Sequence, residues 1–450
     1  MRRRALIQGA LTLTAAGTVL GLAGRNRVHS EDRAAGRTTT DVLVIGAGIA
    51  GLACAQALQR QGRRVILLEA RDRLGGRIWT DTSLGLPLDL GASWLHGLAD
   101  NPLAAMARQQ LGLRLVRTDD DDVITFASDG RPWTQQRRQT SEQWLEAQLG
   151  RLDQLGATSS LAAALPAELS ADQRLALTVT VEHELGADLA SVSAGLALGD
   201  GDELRGGDAL LPSGLHPLVA HLSRDLDVRL SQRVLSIDQP ASGGVSVTTE
   251  HGRLGAAKLC CTVPLGVLQQ GGLRFEPPLP AAKQQAIARI GMGVLDKLYL
   301  LFPRVFWGPQ TVIRLQHPSQ AGLWAEWFNL APVLGRPVLL GFNAGRMARQ
   351  VAQLSDAEVV ASALEALRRC YGAAAVPQPM AHRLSRWGND PNSLGSYSYP
   401  RVGMAAGDRQ ALAAPWGALV FAGEATSSTA PATLQGAYLS GLRAARELLA

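Results

Sequence analysis

Asp41-Val42-Leu43-Val44-Ile45 runs directly into Gly46-Ala47-Gly48-Ile49-Ala50-Gly51. A helical stretch follows to about Gln61, Gly62 stops it, and Val65-Ile66-Leu67-Leu68 ends on Glu69. Strand, glycine turn, helix and second strand, in that order, open a doubly wound parallel sheet that binds a dinucleotide. Each residue type has a task. Gly46 permits the tight turn, Gly48 lets backbone approach a pyrophosphate, and Gly51 lets helix and sheet pack closely. The helix N-terminus presents free N–H groups to phosphate. Glu69, about 20 residues on, can accept hydrogen bonds from ribose hydroxyls.

NAD and FAD share this fingerprint, and the next residues separate them. Arg71 and then Leu74-Gly75-Gly76-Arg77 follow at once. Two more glycines and an arginine beside the phosphate loop read as a second contact with a long, doubly charged cofactor. Arg77 can pair with a phosphate in fork geometry.

Working outward, the chain has 450 residues, 46% hydrophobic and 18% charged. Single cores stop growing at roughly 250–300 residues, so two or more packed domains are expected. The composition excludes global disorder, collagen and coiled coil. The net charge of +5 resides in the first 40 residues, where seven arginines face Glu31 and Asp32. The rest is near neutral, which gives no nucleic-acid footprint. Lysine occurs only at Lys258, Lys283 and Lys297, so each lysine raises the question why arginine would not serve. Cys54, Cys260, Cys261 and Cys370 lack zinc spacing and read as buried free thiols. No metal site is expected.

The residues after Met1, Arg2-Arg3-Arg4-Ala5-Leu6-Ile7, lead an apolar stretch to Ala23 that is interrupted by threonine and glycine. It is too weakly hydrophobic for a membrane span and reads as an export signal over 1–24. The paired arginines resemble a twin-arginine signal, which implies export in folded form to the periplasm. Residues 25–40 read as a linker. Farther on, 141–185 read as helical, with Leu145, Leu149, Leu152 and Leu155 at helical spacing. Strands are expected at 228–230, 234–237, 245–249, 258–263, 294–302, 311–315, 323–328 and 338–342, and a helix over 356–370 capped by Ser355. Asp119–Asp122 reads either as a solvated loop or as an acidic rim at the entrance for a cationic substrate.

With the opening motif and its Gly-Gly-Arg, the chain resembles the flavin-containing amine oxidases, and the resemblance covers nearly everything from Asp41 onward. Asp89-Leu90-Gly91-Ala92-Ser93-Trp94-Leu95-His96-Gly97 looks like the segment passing beneath the flavin in polyamine oxidases. Gly206-Gly207 and Arg233-Val234-Leu235-Ser236-Ile237 resemble the part whose backbone meets the adenine. Trp387, Asp390-Pro391 and Gly395-Ser396-Tyr397-Ser398-Tyr399 resemble the flavin-side wall of polyamine oxidases and the related histone demethylases. Phe421-Ala422-Gly423-Glu424-Ala425-Thr426 and Pro431-Ala432-Thr433-Leu434-Gln435-Gly436-Ala437 match the family's closing flavin motif. There, a helix starting near Pro431 would turn its positive end to the ring.

Taken alone, Lys297 in Val294-Leu295-Asp296-Lys297-Leu298-Tyr299-Leu300 reads equally as a strand-edge lysine paired with Asp296 or as a functional group. The resemblance implies the latter: a lysine that holds a water by flavin N5 and aids reaction with oxygen. His96 alone is a turn histidine; the resemblance places it on the substrate channel. Trp387 and Tyr397 alone are core aromatics; the resemblance makes them pocket walls. Monoamine oxidases attach flavin to a cysteine where this chain has Ser396, so non-covalent FAD is expected. They also carry a second cage tyrosine where this chain has Thr433, so a polyamine is the expected substrate.

The implied reaction is hydride transfer from the amine's α-carbon to flavin N5. It gives an imine, then an aldehyde, a smaller amine and hydrogen peroxide, with oxygen as co-substrate. The alternatives are an L-amino-acid or monoamine oxidase, with Arg274 or Arg314 as a carboxylate clamp, or a flavin dehydrogenase that does not use oxygen. Asp208, Glu184 and Glu326 are candidate partners for distal amines. The expected architecture is α/β: a doubly wound FAD-binding domain from 41–95, 205–290 and 385–450, and a discontinuous α+β substrate domain from 96–204 and 291–384.

Overall fold

The computed structural model describes residues 40–152, 156, 158–197 and 204–450. The export signal and nearly all of the linker lie outside the described residues. The larger sheet is built on Thr40–Ile45, which pairs in parallel with Val65–Leu68 on one side and with Gly252–Cys261 on the other. Asp227–Arg229 continues the parallel run beyond Val65–Leu68. Gly252–Cys261 serves two further partners. Its first half pairs antiparallel with Val245–Thr249, and its last residues pair in parallel with Leu419–Phe421. Val234–Asp238 and Arg274–Glu276 complete the sheet.

Both faces of this sheet are covered, which is why its central strands are continuous apolar runs rather than alternating ones. Val42, Val44 and Cys260 pack on one face, against the helices Ile49–Arg60 and Leu434–Leu449. Leu43, Ile45 and Cys261 pack on the other, against Ala281–Arg289 and Asp408–Ala413. Neighbouring residues of a strand face opposite ways, so the adjacent cysteines enter different cores.

The second sheet runs in the order Ala381–Leu384, Leu295–Leu301, Val338–Ala344, Glu326–Asn329, Val312–Leu315 and Val123–Phe126. Leu298 and Leu300 face a core that includes the helix Asp356–Tyr371, whose first turn carries a capping box between Ser355 and Glu358. On the opposite face Tyr299, Leu301, Phe328 and Phe342 pack toward Leu88, Leu90 and Leu210. Strand alternation puts Lys297 on that second face, turned toward the segment following the first domain's opening motif. A small third sheet joins Trp94–Leu95, Asp208–Leu210 and Val116–Thr118.

Several sequence expectations need correction. The 141–185 stretch is helical in separate pieces rather than throughout. It divides into Gln135–Leu149, Leu161–Ala164, Ala171–Leu177, a π-helical turn at Thr178–Glu182 and a final turn at His183–Leu185. Ser160 and Ser170 each cap a new start, and serine at a cap competes with continued helix. The last helix starts at Leu434, not near Pro431. Ala432 has φ +60°, which breaks the helix, and the Thr433 hydroxyl accepts the Gly436 N–H as the cap. The strand expected at 258–263 begins earlier, at Gly252, because it forms a hairpin with Val245–Thr249.

Candidate active site

A cavity of about 450 Å³ is bordered by both the glycine-rich opening and the second sheet. At the opening, Gly46 has φ +100°, and a Cβ on Gly51 would stand 1.9 Å from the Gly46 carbonyl oxygen. Gly51 is therefore internal to the turn and does not line the cavity, whereas Gly46, Gly48, Gly75 and Gly76 do. Gly48, the residue before the helix, makes no side-chain cap, so the first amides of Ile49–Arg60 are available on the cavity side. Glu69 is buried; Oε2 accepts the Ala47 N–H at 2.7 Å and Oε1 the Arg71 N–H at 2.9 Å. Val234 borders the same end.

Two arginines are held by the protein more than the motif suggests. Arg71 lines the cavity, but its Nη2 donates to Asp390 Oδ1 at 2.7 Å and to Ser393 Oγ at 2.9 Å. Arg77 Nη1 donates to the Ser396 carbonyl and to Glu424 Oε1, both at 2.9 Å. Glu424 also accepts from the Ser398 backbone and hydroxyl and from the Ala432 N–H. Burial pushes the Glu424 carboxyl up, but Arg77, the Ser398 hydroxyl and Arg409 outweigh it and hold it below the usual range. Gly423, Glu424 and Thr433 border the cavity, with Leu434 of the final helix beside them.

Gly91, Ala92, Ser93 and Trp94 cross the floor between the two ends. A Cβ on Gly91 would stand 1.8 Å from the Arg77 carbonyl oxygen, so this crossing needs a residue without one. Lys297 ties the crossing to the second sheet. Its buried Nζ donates to the Asp89 carbonyl at 3.1 Å, to the Gly91 carbonyl at 2.5 Å and to Ser93 Oγ. Three acceptors match the three N–H bonds of an ammonium. Burial pushes the Lys297 pKa down, and the neighbouring Asp89 opposes that.

Trp387 is held at two points: its indole N–H donates to the Leu90 carbonyl, and its backbone N–H donates to Asp296 Oδ1, both at 2.8 Å. Asp296 is buried, and desolvation raises its pKa to about 6. The Tyr397 hydroxyl donates to the His183 carbonyl at 2.6 Å. The Trp94 ring packs on Phe328, with centroids 4.8 Å apart. His96 Nδ1 lies 3.0 Å from Asp208 Oδ2. Lys297, Trp387, Tyr397, Trp94 and His96 all line the one cavity.

Sequence reasoning did not single out His183, which lines the wall. The only local signal was a histidine between two acids in an apolar helical run. Of the guessed acids, Asp208, Glu184 and Glu326 all border the cavity, joined by Asp119, Asp120 and Asp121. Arg274 and Arg314 do not act as clamps. Arg274 is exposed on a strand at the edge of the larger sheet, and Arg314 Nε is paired with Glu326 Oε1 at 3.3 Å. Among the described residues no group of three or more His, Cys, Asp or Glu could hold a metal, and no helix is long and apolar enough to cross a membrane.

The residues present fit FAD: uncapped helix amides, a strand-end carboxylate and a glycine crossing that leaves no room for Cβ atoms all open on one cavity. The family of flavin containing amine oxidoreductases matches residues 49–449. Polyamine oxidase 4 of Oryza sativa subsp. japonica is 37% identical over 432 residues, covering 90% of this chain and 88% of that protein. Polyamine oxidase 2 of Arabidopsis thaliana is 37% identical over 434 residues, covering 90% and 87%. Wild-type putrescine oxidase bound to putrescine shares the fold, with a TM-score of 0.77 at 23% identity, over 92% of this chain and all of that one. Motif, cavity and relatives agree, and the chain belongs to the flavin containing amine oxidoreductase family, with FAD as its cofactor.

Proposed function

We propose that this amine oxidase acts on polyamines such as spermidine or spermine. The observation that carries the reading is the charge of the cavity wall. Asp119, Asp120, Asp121, Glu184 and Asp208 line a pocket that Trp94, Phe328, Phe342 and Trp387 also line. Asp119 and Asp121 are exposed, so the acids reach the solvent side, where an incoming polycation arrives. Amines with ordinary pKa near 10 carry several positive charges at neutral pH, and a cleft of opposite sign raises their local concentration. An aromatic interior suits the methylene segments between nitrogens.

Bound FAD supplies a two-electron acceptor for the C–H bond beside the substrate nitrogen. The chain supplies the rest. The Gly46–Gly48 turn and the helix amides hold phosphate, and Glu69 is placed for ribose hydroxyls. Asp296 and Leu90 fix Trp387, and His183 fixes Tyr397, so the aromatic walls orient the amine and exclude water. In its protonated form Lys297 sets a positive charge against the crossing segment, where it would stabilise negative charge developing on oxygen. Overall, amine, oxygen and water give aldehyde, a smaller amine and hydrogen peroxide.

A panel of amines tests this. Spermidine and spermine should show kcat/KM far above benzylamine or L-leucine, rising with pH because the reacting nitrogen must be neutral. Turnover of benzylamine or L-leucine above spermidine would refute it. We also propose export by the twin-arginine route, supported by Arg3-Arg4 ahead of the weak apolar stretch. Arg3→Lys with Arg4→Lys should leave the protein in the cytoplasm, and unchanged export would refute that route.

A further inference from the structure

His183 is a wall residue with no part in the reaction as described so far beyond its backbone. It directly follows the π-helical turn Thr178–Glu182, a distortion that often marks a functional site. The residue is 5% exposed, and its ring stands edge-on to Phe342, with centroids 6.3 Å apart. Nδ1 lies 3.2 Å from Glu326 Oε2. The other Glu326 oxygen is 3.3 Å from Arg314 Nε, so a guanidinium already matches the carboxylate's charge. What the carboxylate requires of the imidazole is an N–H donor. In the neutral ring, that contact puts the proton on Nδ1 and leaves the lone pair on Nε2. Nε2 has no hydrogen-bond partner among the described residues, although the residue borders the cavity. A buried acceptor without a donor is costly, so a ligand that supplies one is favoured over a ligand that does not.

We infer that His183 Nε2 accepts a hydrogen bond from a nitrogen of the amine substrate, with Glu326 and Arg314 holding the tautomer and ring orientation that permit it. The inference rests on the amine-oxidase reading and adds a specificity residue to it. The His183 carbonyl holds the Tyr397 hydroxyl, so the same residue would set both the aromatic wall and the polar contact.

Two isosteres separate this role from a structural one. The amide of H183N overlays Nδ1, keeping a donor for Glu326 and leaving nothing at Nε2. The amide of H183Q overlays Nε2 and gives up the Glu326 contact. Anaerobic rapid mixing of each FAD-loaded enzyme with spermidine yields the amine Kd and the limiting rate, read beside Tm and FAD content. H183N should raise Kd at least tenfold with Tm and FAD content near wild type, and H183Q should stay within about threefold. The reverse pattern, with wild-type Kd in H183N and weak binding or lost stability in H183Q, would make His183 an anchor for Glu326 and overturn the inference. Should H183N not fold, H183Q decides: a Kd within threefold supports the contact, and a rise above tenfold overturns it. If spermidine and the rest of the amine panel fail to reduce the wild-type enzyme, the amine reading falls and takes this inference with it.

Discussion

Replacing Lys297 with methionine keeps the chain length and removes a charge that donates to Asp89 O, Gly91 O and Ser93 Oγ. The loss is uneven. Asp89 O still receives the Tyr299 hydroxyl at 2.7 Å, and Ser93 Oγ still donates to Asp89 O at 3.1 Å. The Gly91 carbonyl therefore bears most of the penalty, about 1–3 kcal/mol for a buried acceptor left without its donor. Relief from burying an ammonium offsets part of it, so a fall in Tm of only a few degrees is expected. The pH dependence has a fixed sign. Burial lowers the folded-state pKa of Lys297, so between that value and the ordinary lysine value the unfolded chain binds more protons. Wild-type stability should rise with pH across that alkaline window, and Lys297→Met should flatten the rise. For catalysis, the rate at which oxygen restores flavin absorbance should drop tenfold or more, about 1.4 kcal/mol in the barrier, while reduction by amine slows less. Rapid mixing of the reduced enzyme with oxygen measures it. An unchanged oxygen rate in a merely destabilised variant would make Lys297 a strap for the crossing segment and refute its electrostatic role.

Gly51→Ala drives a Cβ into the Gly46 carbonyl oxygen at 1.9 Å, so the purified variant should have lost most of its FAD, read as the flavin-to-protein absorbance ratio. Ser396 is hydrogen-bonded to Leu295 and offers no thiol for attachment, so acid precipitation of the wild type should release all yellow colour to the supernatant. Asp296, raised to about 6 by burial, takes up its proton in the folded state before the unfolded chain does. Its contribution to stability should grow as pH falls from about 6 toward 4, and Asp296→Asn should remove that slope while keeping the Trp387 contact, as urea titrations across pH can show.

The strand–turn–helix opening was legible because its signals are local: glycines at fixed offsets, an apolar strand and an acid at the next strand's end. The scarcity of lysine against arginine likewise marks Lys297 in the sequence itself. Other parts were not legible because their partners lie hundreds of residues away. Nothing near Arg71 announces Asp390, and nothing near Arg77 announces Glu424. The start of the last helix was misplaced because proline's tolerance at a first turn is a weaker signal than a threonine cap after a positive-φ alanine. His183 was invisible for a related reason: a histidine in an apolar run reads as core until Glu326, 143 positions on, supplies its partner.

The most direct test of the account is an anaerobic titration of the purified yellow protein with spermidine, followed by admission of oxygen. The account predicts bleaching of the flavin absorbance in proportion to added amine, then recovery in air with equimolar hydrogen peroxide and aldehyde. A protein that carries FAD yet stays yellow with spermidine, spermine and every other amine offered would contradict it.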